Sequence, residues 1–175
     1  TLPRVLTLRQ GHIFSEPVHE LKALRHRETE RTLEAEQTSH FETALFDLTE
    51  LLLDIEVGDA YTVALELVYG AEKLVFRYNR LEQVMTIDRT KMRQGGRGTR
   101  SFKLYVDRTL SLRIYVDHSA VEAFFQYGEE AATVAIFPEE DVRPTLRVFS
   151  DVDVEQLTGV LWELEPFHYE AVGSI

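Results

Sequence analysis

The chain has 175 residues, room for one domain with a sizeable core, and its 44% hydrophobic and 28% charged content is that of an ordinary globular protein. With 30 acids against 19 bases the net charge is −11, which argues against nucleic acid or an anionic membrane as partner. The absence of cysteine excludes disulfides, thiolate zinc sites and a cysteine nucleophile. No window approaches the ~20 apolar residues of a membrane-spanning helix. With no secretion or wall-anchor feature visible, a cytoplasmic location is expected, and an opening Thr in place of Met suits a fragment or processed product.

Taken in order, Thr1–Ser15 reads as a hairpin: Val5, Leu6 and Leu8 precede a turn at Arg9-Gln10-Gly11, and Ile13-Phe14 follow it. An isolated two-stranded hairpin is marginal in water, so this one needs a surface to lie against. Ser15–Arg25 predicts one short helix, with Ser15 as N-cap, Pro17 in the first turn and Val18, Leu21 and Leu24 at helical spacing. His26–Gln37 has helix-forming composition but almost no apolar stripe, leaving helix, polar edge strand and loop equally open.

From there the apolar period turns to two. Leu51, Leu53, Ile55 and Val57 alternate, as do Tyr61, Val63, Leu65 and Leu67, then Leu74, Phe76 and Tyr78, and less cleanly Val84 and Ile87. Breaks at Gly58-Asp59, Gly70-Ala71-Glu72 and Asn79-Arg80 complete the pattern of an all-β, two-sheet antiparallel sandwich. Thr90–Arg100 is the longest loop. Thr145–Phe149, Asp151–Val154 and Gly159–Leu164 predict three further short strands, the last carrying Trp162.

Leu110–Pro138 fixes a register. A two-residue loop at His118-Ser119 sets Val116 opposite Val121, Ile114 opposite Ala123 and Leu112 opposite Phe125, so one face is wholly apolar. One extra loop residue would set Val116 against Glu122 and scramble that face. The other face carries Tyr115 opposite Glu122 and Arg113 opposite Phe124. Glu122 is then a carboxylate among apolar neighbours and needs a partner; Arg113, diagonal to it, is the expected cation, with Tyr115 donating a further hydrogen bond.

Catalytic constellations are hard to find. His12, His19, His26, His40, His118 and His168 form no metal-binding pair, and no metal or cofactor is expected. Glu129-Glu130 and Glu139-Glu140-Asp141 fall in turns, where charge is simply solvated. No serine sits in a Gly-x-Ser-x-Gly elbow. Gly95-Gly96-Arg97-Gly98, with Arg93 and Arg100 nearby, lacks the Gly-Lys-Ser or Gly-Lys-Thr of a phosphate loop and reads as a flexible hairpin loop.

The run Leu112-Arg113-Ile114-Tyr115-Val116-Asp117-His118-Ser119-Ala120-Val121-Glu122-Ala123-Phe124, continuing to Ile136-Phe137-Pro138, resembles the C-terminal module of glycoside hydrolase family thirty-two. That family comprises the invertase-like enzymes: sucrose-6-phosphate hydrolases, β-fructofuranosidases, levanases and inulinases. Its pattern there is Leu-x-Ile-x-x-Asp-x-Ser-x-Val-Glu-x-Phe, then an apolar strand ending near Phe-Pro. Leu2-Pro3-Arg4 through Pro17, Glu20-Leu21 and Leu24-Arg25 resembles the family's passage from catalytic domain to C-terminal module, and Asp88-Arg89 matches a family Asp-Arg pair.

The resemblance implies a structural signature of Arg113, Asp117, Ser119, Val121, Glu122, Phe124 and Pro138, and no catalytic residue. Family members cleave β-fructofuranosidic bonds with an Asp nucleophile and a Glu acid/base, about 5 Å apart as retention requires. Both belong to an N-terminal five-bladed propeller, whose Asn-Asp-Pro-Asn, Arg-Asp-Pro and Glu-Cys motifs do not occur here. Residues 1–25 are then the remnant of the propeller-to-sandwich connection and 26–175 the sandwich. The expected partner is that propeller, with a homo-oligomer kept open. The connecting hairpin should pack on another copy or be poorly ordered. A rival reading is an autonomous lectin-like carbohydrate-binding module displaying Tyr61, Tyr69, Tyr105, Tyr115 or Trp162, although most of these fall on core-like positions.

Overall fold

Period-two alternation of β-branched and large apolar residues dictates strands, and strands are what form. The computed structural model describes residues 1–94, 98–139 and 142–166. A hairpin of β1 (Arg4–Arg9) and β2 (His12–Pro17) precedes ten strands: β3 (Arg31–Ala44), β4 (Thr49–Glu56), β5 (Thr62–Tyr69), β6 (Glu72–Asn79), β7 (Val84–Asp88), β8 (Thr99–Lys103), β9 (Thr109–Val116), β10 (Ala120–Phe125), β11 (Glu130–Ala135) and β12 (Thr145–Glu163). The ten are hydrogen-bonded in the order β11-β10-β9-β4-β12-β5-β6-β7-β8, with β3 alongside β12, and every pairing is antiparallel.

One strand serves both sheets of this sandwich. The first part of β12, Thr145–Ser150, pairs with β5, while its last part, Gln156–Glu163, pairs with β4. Between them the register against β3 shifts, from Phe149 to Val154. Bulges of this kind let a strand turn a corner and pass from one sheet to the other. The three short strands expected after Thr145 are therefore one bent strand, since Ser150–Asp153 bends without ending the ladder.

Inner faces supply the core. Leu51, Leu53 and Ile55 of β4, Leu112 and Ile114 of β9, and Phe125 of β10 are buried, as are Leu65 and Leu67 of β5 and Leu74, Phe76 and Tyr78 of β6. The two sheets meet where Phe125 lies 6.0 Å from Phe76 and 5.3 Å from Phe102, ring centre to ring centre. Each such side chain stabilises the fold by roughly 1.5–3 kcal/mol. Met85 and Ile87 carry β7 into this core, whereas Val84 is only half-buried.

Two N-terminal expectations change. Ser15 pairs with Leu6 inside the first hairpin, so it caps nothing. The helical segment is a 3-10 turn over His19–Leu24. The physical reason lies in the spacing: Val18, Leu21 and Leu24 recur every three residues, which matches the 3-10 period better than 3.6. Of the readings open for His26–Gln37, the polar edge strand holds from Arg31 onward, after a second 3-10 turn at Arg27–Thr29. Gly95, Gly96, Arg97, Glu140, Asp141 and His168 lie outside the described residues. No helix among the described residues is long and apolar enough to cross a membrane.

Candidate functional site

The register of β9 and β10 is the expected one: Val116 faces Val121, Ile114 faces Ala123 and Leu112 faces Phe125. With one face committed to the core, the other carries a line of polar and aromatic residues across five strands. Trp162 of β12 lies beside Glu50 of β4, then come Tyr115 of β9, Glu122 of β10 and Thr133 of β11. The neighbouring rung reads Leu52, Arg113 and Phe124.

An outward-facing carboxylate is normally solvated, yet Glu50 is 0% and Glu122 4% exposed. The N-terminal segment covers them and brings their cations. Arg25 Nε and Nη2 donate to the two oxygens of Glu50, each at 2.7 Å, a bidentate geometry that only guanidinium supplies. The same guanidinium stacks 3.8 Å above the Trp162 ring, and Trp162 Nε1 donates to Glu30 at 2.7 Å. Tyr115 donates its hydroxyl to Glu50 at 2.9 Å. Hydrogen bonding to Glu50 raises the Arg25 pKa, while burial, and then the Glu50 charge, push the Tyr115 hydroxyl well above its usual range.

Glu122 is held from the hairpin. Arg4 Nη2 donates to Glu122 Oε2 at 2.7 Å and to Thr133 Oγ1 at 2.9 Å, and the Leu2 backbone N–H donates to Glu122 Oε1. Arg4 also sits 5.0 Å from the Phe124 ring centre. Burial of Glu122 was legible in the sequence; its partners were not. Arg113 does not pair with it, and Tyr115 does not donate to it. Both turn to Glu50, because β4 flanks β9 on the side away from β10 and offers a second carboxylate directly opposite Tyr115. Arg113 Nε approaches Glu50 Oε1 at 3.3 Å as an ion pair, without hydrogen-bond geometry.

The remaining signature residues have structural places. Val121 and Phe124 are buried, and Asp117 and Ser119 are exposed in the β9–β10 turn. Asp117 accepts from the His118 N–H at 2.6 Å, and the Ser119 carbonyl accepts from Ile136 N–H at 2.8 Å. Pro138 is half-buried after β11. Glu50 has no place in the sequence reading, and Arg4 and Arg25 enter it only as part of the family's connecting passage, without partners. The one signal for Glu50 is its place directly before the apolar run Leu51-Leu52-Leu53.

A third feature adjoins the rung. The turn between β10 and β11 holds Gln126 (φ 46°) and Tyr127 (φ 58°) in the left-handed region, each strained by about 1–2 kcal/mol. Gln126 is pinned by its side chain, which accepts from Ser111 N–H at 2.7 Å and donates to the Thr109 carbonyl at 3.1 Å. Gly128 (φ 87°) rests on the hairpin, where an added Cβ would come within 2.5 Å of the Ser15 carbonyl oxygen.

An all-β sandwich whose two outward-facing carboxylates are covered by its own N-terminal segment is a domain built around one clamped surface. The family model described as "Glycosyl hydrolases family 32 C terminal" matches residues 20–162, and the chain belongs to that family. A sucrose-6-phosphate hydrolase of Staphylococcus xylosus is 34% identical over 81% of this chain and 30% of its own length. A raffinose invertase of Escherichia coli is 28% identical over 94% of this chain and 34% of its own. Among solved structures, exo-inulinase from Aspergillus awamori superposes with a TM-score of 0.76 at 21% identity, over 94% of this chain and 35% of that one. Sucrose-6-phosphate hydrolase from Lactobacillus gasseri gives 0.72 at 25% identity, over 93% and 33%. The chain thus spans about a third of the length of the relatives it matches.

Proposed function

We propose that the chain is the non-catalytic C-terminal domain of a longer sucrose-6-phosphate hydrolase or β-fructofuranosidase, and that it stabilises the catalytic propeller of the same polypeptide. Residues 1–25 are the connection between the two and 26–175 the sandwich. The observation that carries this reading is the first hairpin. Its base is clamped to the sandwich by Arg4, while Leu6, Leu8 and Ile13 stand 66%, 74% and 65% exposed on one face. Those residues share a side of the ribbon, because Leu8 pairs with Ile13 and Leu6 with Ser15. A contiguous apolar face on a ribbon fastened at its base marks an interaction surface. The substrates named for the relatives, sucrose 6-phosphate among them, are those of the complete polypeptide. A phosphorylated sugar carries charge that keeps it inside the cell, which favours the cytoplasm.

The chain alone should hydrolyse neither sucrose nor sucrose 6-phosphate in a reducing-sugar assay; turnover above a protein-free control would refute the non-catalytic reading. In the complete polypeptide, replacing Leu6, Leu8 and Ile13 together by Ser should lower the melting temperature and expose the connection to protease. An unchanged melt would remove the docking role. Sedimentation of the chain alone identifies the competing occupant: a dimer lost with the same three substitutions would assign the face to a second copy.

A further inference from the structure

A cleft of about 250 Å³ opens on the outer face of the sandwich, beside the base of the hairpin. Its walls include Asp54, Ser111, Arg113, Tyr127 and Glu16. We propose that this cleft binds one sugar ring, by the strained turn presenting Tyr127 over a floor of Arg113, Ser111 and Asp54.

Four observations converge on an uncharged polyol. First, Arg113 lines the cleft with its donors unspent. Its Nε is buried without a hydrogen bond, and its contact with Glu50 at 3.3 Å is an ion pair only. Neither terminal nitrogen makes a hydrogen bond among the described residues, so the fork of N–H groups remains for a ligand. Second, an acceptor stands beside those donors: Asp54 is exposed directly across the strand pair from Ser111, while Glu16 on the other wall already accepts from Arg9 Nη2 at 2.7 Å. Mixed donors and acceptors suit hydroxyl groups, which do both, and the Asp54 carboxylate in an already acidic chain disfavours an anion.

Third, Tyr127 is 66% exposed although aromatic, and the backbone that carries it is left-handed. Strain of that kind is retained where the surrounding structure over-determines it, and here the Gln126 side chain and the seated Gly128 do so. Ser111 Oγ donates to Tyr127 Oη at 3.2 Å, which fixes the ring and frees the phenol proton for an outside acceptor. Fourth, the volume falls just below the usual range for small-molecule sites, enough for a single ring and too little for a chain of them. The proposal stands on this cleft alone and is independent of the catalytic-domain reading.

The test is an amide chemical-shift titration of the chain with D-fructose, D-glucose and sucrose, each to about 50 mM, the range in which single-ring sites saturate. Saturable shifts at Ser111, Arg113 and Tyr127 are expected with at least one sugar. Tyr127→Ala and Arg113→Lys should each weaken binding roughly tenfold, the loss of one ring contact or one charged hydrogen bond. Tyr127→Phe keeps the ring and should weaken it less, showing that the turn still folds. Tyr61→Ala, at an exposed tyrosine outside the cleft, should leave affinity unchanged. No saturable shift with any of the three sugars overturns the proposal, as does equal affinity in Tyr127→Ala or an equal loss in Tyr61→Ala. Any of those results leaves the hairpin's docking role intact, because that role is read from interdomain stability.

Discussion

Glu50 and Glu122 flank Tyr115 on one rung, are almost equally buried, and are held in different ways. Glu50 gathers Arg25, Tyr115 and Arg113, and its chief cation is only 15% exposed. Glu122 relies on Arg4, 24% exposed, and on the Leu2 N–H, both from the hairpin segment. The first clamp sits where the sheet and the 3-10 segment meet. The second is the fastening of a ribbon that is otherwise exposed. Burying a carboxylate stabilises little in itself; what it does is make the arrival of one particular cation obligatory. The two acids therefore specify where the N-terminal segment lies.

That contrast predicts a graded series. Glu50→Ala strands two guanidiniums, one of them well buried, and should cost about 4–5 kcal/mol in urea unfolding. Glu122→Ala should cost less, ~3 kcal/mol, because Arg4 can turn to water. It should also accelerate hydrogen exchange at the hairpin amides, which Glu50→Ala should not do at equal residual stability. Equal effects on those amides would dissolve the distinction. Tyr115→Phe removes one hydrogen bond to the Glu50 charge and should cost about 1.5–3 kcal/mol. Retention of full stability would mean that Arg25 alone satisfies the acid.

A third buried carboxylate, Glu72, sharpens the comparison because it has backbone donors for its main partners. It is 3% exposed and accepts from the N–H groups of Arg93 at 2.6 Å and Glu139 at 2.7 Å. Burial opposes its charge, but these donors and the Arg93 charge outweigh it, and its pKa is lowered. A carboxylate with a depressed folded pKa contributes stability above its unfolded pKa, near 4.3, and loses it as pH falls through the folded value. Glu72→Gln should therefore flatten the acid limb of the stability–pH curve below about pH 4.3, a smaller effect than the three above. An unaltered limb would show that Glu72 titrates as it does in the unfolded chain.

Much of the sandwich was readable because parity is a local property. Val116 and Val121 are close in sequence, and a one-residue slip would have exposed the apolar face, so the register had a single solution. Glu122 was recognisable as buried for the same reason. Its partner was not, since Arg4 is 118 residues away and no local pattern reports which strand borders β9 on its far side. Arg113 is the nearest cation by sequence, but Glu50 on β4 competes for it and holds it. The 3-10 turn resembles an ordinary helix in composition, and only its strict spacing of three distinguishes it. The cleft was invisible, because Asp54, Ser111 and Tyr127 lie on three separate elements and Glu16 on a fourth.

Strand β12 carries a cost in the order of synthesis. Among the described strands it is the last made, and it is the neighbour of β3, β4 and β5, all formed far earlier. Until Glu163 has left the ribosome, β4 and β5 each lack the strand that belongs beside them, and their ladders end in open edges. Such edges invite pairing with other chains, so the growing polypeptide passes through a long interval of vulnerability to aggregation before its sheets can close. Truncation just before Thr145 should leave soluble yield far below that of the whole chain, even though most of the core residues would remain.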